Sequence, residues 1–146
     1  MATIVVGYDD GRRARHALDR ALAEAKETGA QLVVVSVLDL PLDPRAPRNF
    51  GTLDDGPAAR APAGLPPELE PVIARAQERV TAAGLQAELV WGAGDAAEII
   101  IEVARERNAS LVVLGEHHRG LFAALVGTDV PGEVKRRSGA DVLVVG

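Results

Sequence analysis

Residues 2–28, ATIVVGYDDGRRARHALDRALAEAKET, decide the fold. The first seven, ATIVVGY, form a short β-branched apolar run, the signature of a buried strand. From residue 12 the period changes. Ala14, Ala17, Leu18, Ala21, Leu22 and Ala25 recur at helical spacing through Thr28, and Gly29 supplies the left-handed residue that commonly ends a helix. Residues 31–38, QLVVVSVL, then read as a second buried strand. A strand, a helix and a second strand in this order predict a parallel pair joined by a right-handed crossover.

The same alternation continues outward. Residues 68–83 are helical in pattern and closed by Gly84, and 85–91, LQAELVW, read as a third strand. Asp95 and Glu98 have the D-x-x-E spacing of a helix start, with the Asp accepting a backbone N–H and the Glu reaching back. That helix is expected to run to about Asn108, followed by a strand at 110–115 (SLVVLG), a helix at 130–137 and a last strand at 141–145 (DVLVV). The strands are apolar throughout, as when helices cover both faces of a sheet. The expectation is a doubly wound, five-stranded parallel sheet in a flavodoxin-like or Rossmann-like three-layer α/β sandwich. Ligands bind such sheets beyond the carboxyl ends of the strands, where strand order reverses. Gly7, Tyr8, Asp9, Val37, Leu38, Asp39, Gly92, Leu114 and Gly115 are therefore the positions to question. Seven of the nine prolines fall between 39 and 67, which predicts a long mobile connection rather than regular structure.

The 146 residues form one expected domain, 1–146, with enough chain to bury its own core. Cysteine is absent, which excludes disulfides and thiolate chemistry. A net charge of −5 argues against nucleic-acid and anionic-membrane partners. No apolar run approaches the ~20 residues of a membrane span, and the first residues lack the pattern of a signal peptide. The expected compartment is the cytoplasm. Lys135-Arg136-Arg137 read as the last turn of a helix, where cations suit the dipole.

Residues 114–129, LGEHHRGLFAALVGTD, carry the densest chemistry. His117 and His118 are neighbours, so their side chains diverge in an extended loop, whereas a metal needs three or four converging ligands. Glu116 and Asp129 could add to such a ligand set, but nothing in the spacing demands it. No G-x-S-x-G elbow is present, and Asp9-Asp10 read as one inward carboxylate and one helix cap. Gly115 with Gly120 or Gly127-Thr128 fits an anion site built from backbone amides, without a P-loop or a G-x-G-x-x-G.

Taken together, three stretches resemble the universal stress protein family. VVGYDDGRRARHALDRALAEA resembles its V-G-x-D-G-S-x-x-S-x-x-A-L-x-x-A, with Val6, Gly7, Asp9, Ala17, Leu18 and Ala21 in register. Asp10-Gly11 stands where the family has Gly-Ser, and Ala14 where it has a second Ser. WGAGDAAEIIIEVARERNASLVVLG is similar to the family's G-x-P-A-x-x-I-x-x-x-A stretch, and KRRSGADVLVV to its closing helix and strand. The resemblance implies an adenine nucleotide alpha hydrolase-like fold. It further implies a homodimer formed through the C-terminal strand.

ATP-binding members carry G-x-x-G-x9-G-[ST] after the fourth strand. Here the first glycine is Gly115, the second position is His118, and the ungapped register puts Thr128-Asp129 at the final pair instead of Gly127-Thr128. An ionised Asp129 beside a triphosphate costs about 4 kcal/mol per unit-charge pair at ~4 Å and an effective dielectric of ~20. If a nucleotide binds, the resemblance puts adenine against Gly7, Asp9 and Val37, and ribose near Leu114 and Gly115. It puts phosphates near His118, Gly120, Gly127, Thr128 and Asp129, with Mg2+ if ATP is the ligand. The leading expectation is a non-catalytic stress-response protein with a degenerate nucleotide pocket, acting through ligand or partner binding. An ATP-binding protein with slow or no hydrolysis is the alternative, and a metal-dependent enzyme using Glu116, His117, His118 and Asp129 is the second alternative.

Overall fold

In the computed structural model, residues 2–39, 49–53, 65–115 and 130–146 are described. The chain begins with β1 (Thr3–Gly7), α1 (Arg12–Thr28) and β2 (Gln31–Asp39). A short edge strand, β3 (Asn49–Leu53), is followed by a 3-10 turn (Pro67–Leu69) leading into α2 (Glu70–Ala82). Then come β4 (Glu88–Gly94), α3 (Ala96–Glu106), β5 (Leu111–Gly115), the helix α4 (Val130–Ser138) and β6 (Asp141–Val145).

The strands form one sheet in the order β3-β4-β2-β1-β5-β6. Five of them, β4, β2, β1, β5 and β6, run parallel, as the alternating strand and helix patterns predict. Alternate residues of each strand face opposite layers. Val6, Val34, Trp91 and Val113 pack with Leu18, Ala21, Ile73 and Val80 of α1 and α2. Val5, Val33, Val35, Val90 and Val112 pack with Ile99, Ile100 and Val103 of α3 and Val134 of α4. Each fully buried Val, Leu or Ile contributes about 1.5–3 kcal/mol.

Helix α1 has the expected boundaries, and its six-residue apolar stripe is buried. Four of those six are alanines, so the helix axis lies close to the sheet. Gly29 closes it at φ 73°, donating its N–H to the Ala25 carbonyl at 2.8 Å. Asp95 caps α3 by accepting the amides of Ala97 at 3.0 Å and Glu98 at 3.4 Å. The Glu98 carboxylate is gripped from α4 by Arg137, one of whose bonds is 2.8 Å long. The last turn of α4 carries Lys135, Arg136 and Arg137, as the charge pattern predicts.

Two expectations are corrected. Residues 49–53, read as part of an unstructured connection, pair antiparallel with β4 from Asn49↔Ala93 to Leu53↔Leu89. The physical reason is the free edge of β4, whose backbone groups need partners that a proline-poor pentapeptide can supply. The rest of the connection, 40–48 and 54–64, lies outside the described residues. Strand β4 also begins three residues later than the sequence pattern suggests. Leu85 donates its N–H to the Val80 carbonyl at 3.2 Å, so it belongs to the exit from α2. The strand instead runs on through Gly92, Ala93 and Gly94, which pair with Val37, Leu38 and Asp39. No described helix is long and apolar enough to cross a membrane.

Candidate nucleotide site

Strand β1 lies between β2 and β5, and the chain winds outward from it in both directions. The topological switch point is therefore the crevice beyond the carboxyl ends of β1 and β5, where doubly wound sheets hold ligands. Val6 pairs with Val113, so Gly7 and Leu114 continue side by side toward that crevice. Gly7 pairs with Val35 on the other side, two residues before Val37.

The turn from β1 into α1 is built by short polar contacts. Tyr8 extends the ladder, donating its N–H to the Val35 carbonyl at 2.8 Å. The Asp9 carboxylate accepts the Gly11 amide at 2.8 Å, and the Gly11 carbonyl accepts the Arg15 amide at 2.9 Å to start the helix. Between them Asp10 is left-handed, at φ 69°. A non-glycine residue there costs about 1–2 kcal/mol, least for Asp and Asn. The family pattern has glycine at this position, and the backbone angle explains why. In this chain two bonds to the Asp10 carboxylate accompany that backbone state. The Tyr8 hydroxyl donates to Oδ1 at 2.6 Å, and the Arg75 guanidinium of α2 donates to Oδ2. Asp9 and Asp10 thus divide into a turn-forming carboxylate and one tied to the core and α2.

Tyr8 is buried, and burial pushes its phenol well above the ordinary value of 10.0, with the hydrogen bond to Asp10 adding to the shift. The folded protein holds this proton more tightly than the unfolded chain does. Its contribution is complete below pH 10 and is lost as pH rises further. We expect the urea midpoint of the wild type to fall more steeply above about pH 10 than that of Tyr8→Phe. Parallel curves for the two proteins contradict this.

At the end of β2, Val37 is half-buried against the layer containing α3. Leu114 is buried in that same layer, so a ligand beyond β5 would meet its backbone. Gly115 is set by sterics. A Cβ on it would lie 2.9 Å from the Arg13 carbonyl carbon, 3.0 Å from the Arg13 oxygen and 3.1 Å from the Ala14 nitrogen. The first turn of α1 therefore seats on the end of β5 through a position that only glycine fills without displacement.

Of the five expected site residues that the structure describes, Gly7 and Gly115 end β1 and β5, Leu114 precedes Gly115, Asp9 lies two residues beyond β1, and Val37 lies two residues before the end of the adjacent β2. His118, Gly120, Gly127, Thr128 and Asp129 lie outside the described residues, as do Glu116 and His117. Among the described residues no group of three or more His, Asp or Glu side chains is arranged to hold a metal. A pocket of about 420 Å³ opens elsewhere, between α1 and α2, lined by Asp19, Leu22, Lys26, Arg79 and neighbouring alanines. None of these residues is among the expected site residues at the strand ends. Sequence reasoning missed Arg75 and the backbone state of Asp10. The one signal for them was the acid at a family glycine position.

The model of the universal stress protein family matches residues 1–146. The chain belongs to this family. A universal stress protein crystallised in complex with cAMP is 27% identical, covers 99% of this chain and 97% of its own, and superposes with a TM-score of 0.69. A family member from Burkholderia pseudomallei is 26% identical over 98% of this chain and 94% of its own, at a TM-score of 0.59. A universal stress protein from Archaeoglobus fulgidus, in complex with dAMP, shares the fold at 19% identity and a TM-score of 0.64, covering 100% of this chain and 98% of its own. No curated protein sequence matches. In this universal stress protein, the left-handed turn after β1 is thus formed with Asp10 in place of the usual glycine.

Proposed function

We propose that this universal stress protein is a non-catalytic stress-response protein that holds an adenine nucleotide of low phosphate charge and acts through a bound partner. The observation that carries this reading is the convergence of Gly7, Asp9, Leu114 and Gly115 on the β1–β5 switch point. Complexes of relatives with cAMP and dAMP support it. In this reading adenine lies against Gly7, Asp9 and Val37, ribose against the backbone of Leu114 and Gly115, and phosphate near His118, Gly120, Gly127, Thr128 and Asp129. The acid at 129 disfavours a triphosphate.

Thermal melting with millimolar AMP, cAMP or Mg-ATP tests this. A ligand present at 100 times its Kd stabilises by about 2.7 kcal/mol. We expect AMP or cAMP to raise Tm more than Mg-ATP does. A larger rise with Mg-ATP supports an ATP-binding protein with slow hydrolysis instead. Absence of any shift overturns the nucleotide half of the proposal.

The partner includes a second copy of the chain. Among the described residues β6 is an edge strand, and it presents Val142, Leu143 and Val145 half-buried and Val144 40% exposed. An apolar strand with an open edge is suited to pairing across a two-fold axis. We expect a dimer by light scattering at high micromolar concentration, and a monomer for Val144→Lys. A monomeric wild type at that concentration refutes the pairing.

A further inference from the structure

We propose that Asp10 is a positioning residue that couples the seating of α2 to the β1–α1 turn, through one carboxylate shared between the Tyr8 hydroxyl and the Arg75 guanidinium. The inference rests on the nucleotide reading above only for its consequence at the ligand. The coupling itself stands on geometry. Oδ1 is held by a tyrosine that is 1% exposed and anchored in the core, and so cannot follow a moving helix. Oδ2 is held by Arg75, whose side chain is 58% exposed and projects from the first half of α2. Asp10 is left-handed, and the residues on either side of it are the two ends of the Asp9–Gly11 contact. With both carboxylate oxygens held, the Asp10 side chain is fixed relative to its backbone. A shift of φ or ψ at Asp10, which would turn the peptide planes that aim the Asp9 carboxylate and the Gly11 amide, therefore also strains the contact with Arg75.

An exposed ion pair adds little to global stability, since water and salt screen it. Its effect here falls on the turn. A glycine at position 10 adopts φ 69° without cost, as the family pattern does, but offers α2 no grip. The chain thus trades a relaxed turn for one that reports on α2, the helix that follows the proline-rich connection. Linkage makes the coupling reciprocal: a ligand that fixes the turn also fixes α2.

Amide hydrogen exchange on the full chain tests this without ligand. In Arg75→Gln the Gly11 amide is expected to exchange about two- to fivefold faster, as an exposed pair worth up to about 1 kcal/mol allows, with the urea midpoint unchanged. Asp10→Gly keeps φ 69° accessible but removes both carboxylate tethers, so the turn opens more often and the same amide should exchange faster. Adding Arg75→Gln to Asp10→Gly should then produce no further change, because both substitutions cut one connection. An unchanged Gly11 amide in Arg75→Gln, or additive effects in the double variant, overturns the coupling. Titration with AMP extends the test: Arg75→Gln should weaken binding by a similar factor, and undiminished affinity counts against a positioning role. If AMP binds neither protein, the nucleotide reading fails, while the ligand-free exchange still decides the coupling.

Discussion

Gly115→Ala is expected to lower stability by about 1–3 kcal/mol, the usual cost of forcing a methyl group into a closed site. For a chain of this length that corresponds to a fall of roughly 3–12 °C in Tm. The new Cβ would meet the Arg13 carbonyl carbon at 2.9 Å, and the obstacle is backbone that cannot rotate aside. Relief requires the first turn of α1 to lift from β5. That movement opens the switch point, since Ala14, fully buried in the next position, is carried with it. Nucleotide affinity should therefore fall together with stability. Gly139→Ala provides the comparison. It has a left-handed φ of 76° but open space around its Cβ position, so its cost is that of backbone strain alone. The proposed nucleotide site should survive that change. A Gly115→Ala protein with wild-type melting and binding would show that α1 adapts freely, and would remove the steric account of this glycine.

The parts of the fold that sequence revealed are those where period and burial agree. Helix α1 is legible to the residue because its alanine and leucine stripe, its glycine stop and its buried face all mark the same span. Strand β6 is legible for a similar reason, an apolar run bounded by Gly139-Ala140 and the chain's last residue. Strand β3 is not legible. Its residues, NFGTL, carry no alternation, and they become a strand only because β4 offers an edge far away in sequence. The start of β4 is misjudged because Leu85 and Ala87 are apolar for another reason: they pack against the α1–α2 layer from the helix exit. At the site, the ends of β1, β2 and β5 follow from the alternation of strand and helix patterns. The Asp10 turn does not, because a backbone angle and a contact with Arg75, 65 residues onward, leave no local trace.

The largest gain of function is expected from His118→Gly combined with Asp129→Ser. The argument rests on sequence and charge. In the ungapped register His118 stands where ATP-binding relatives carry glycine, and Asp129, an acid, stands where they carry serine or threonine. Each unit-charge pair between Asp129 and a phosphate costs about 4 kcal/mol at ~4 Å and an effective dielectric of ~20. Screening reduces that figure, so about 1.4–2.8 kcal/mol, or ten- to hundredfold in affinity, is a sound expectation for removing the charge. Glycine at 118 would add close backbone approach. The ligand dependence separates this from a general improvement of the pocket. Mg-ATP should gain more than AMP, because the penalty grows with the number of phosphate charges that reach the acid. Asp129→Asn should recover most of the gain, since it removes charge while keeping shape. Calorimetric titration of wild type, both single variants, the double variant and Asp129→Asn with AMP and Mg-ATP measures all three effects. Equal gains for the two ligands would mean that charge at 129 does not set selectivity. A loss of Mg-ATP affinity in Asp129→Ser would have the opposite meaning: the carboxylate works through a divalent cation, as a ligand rather than a barrier.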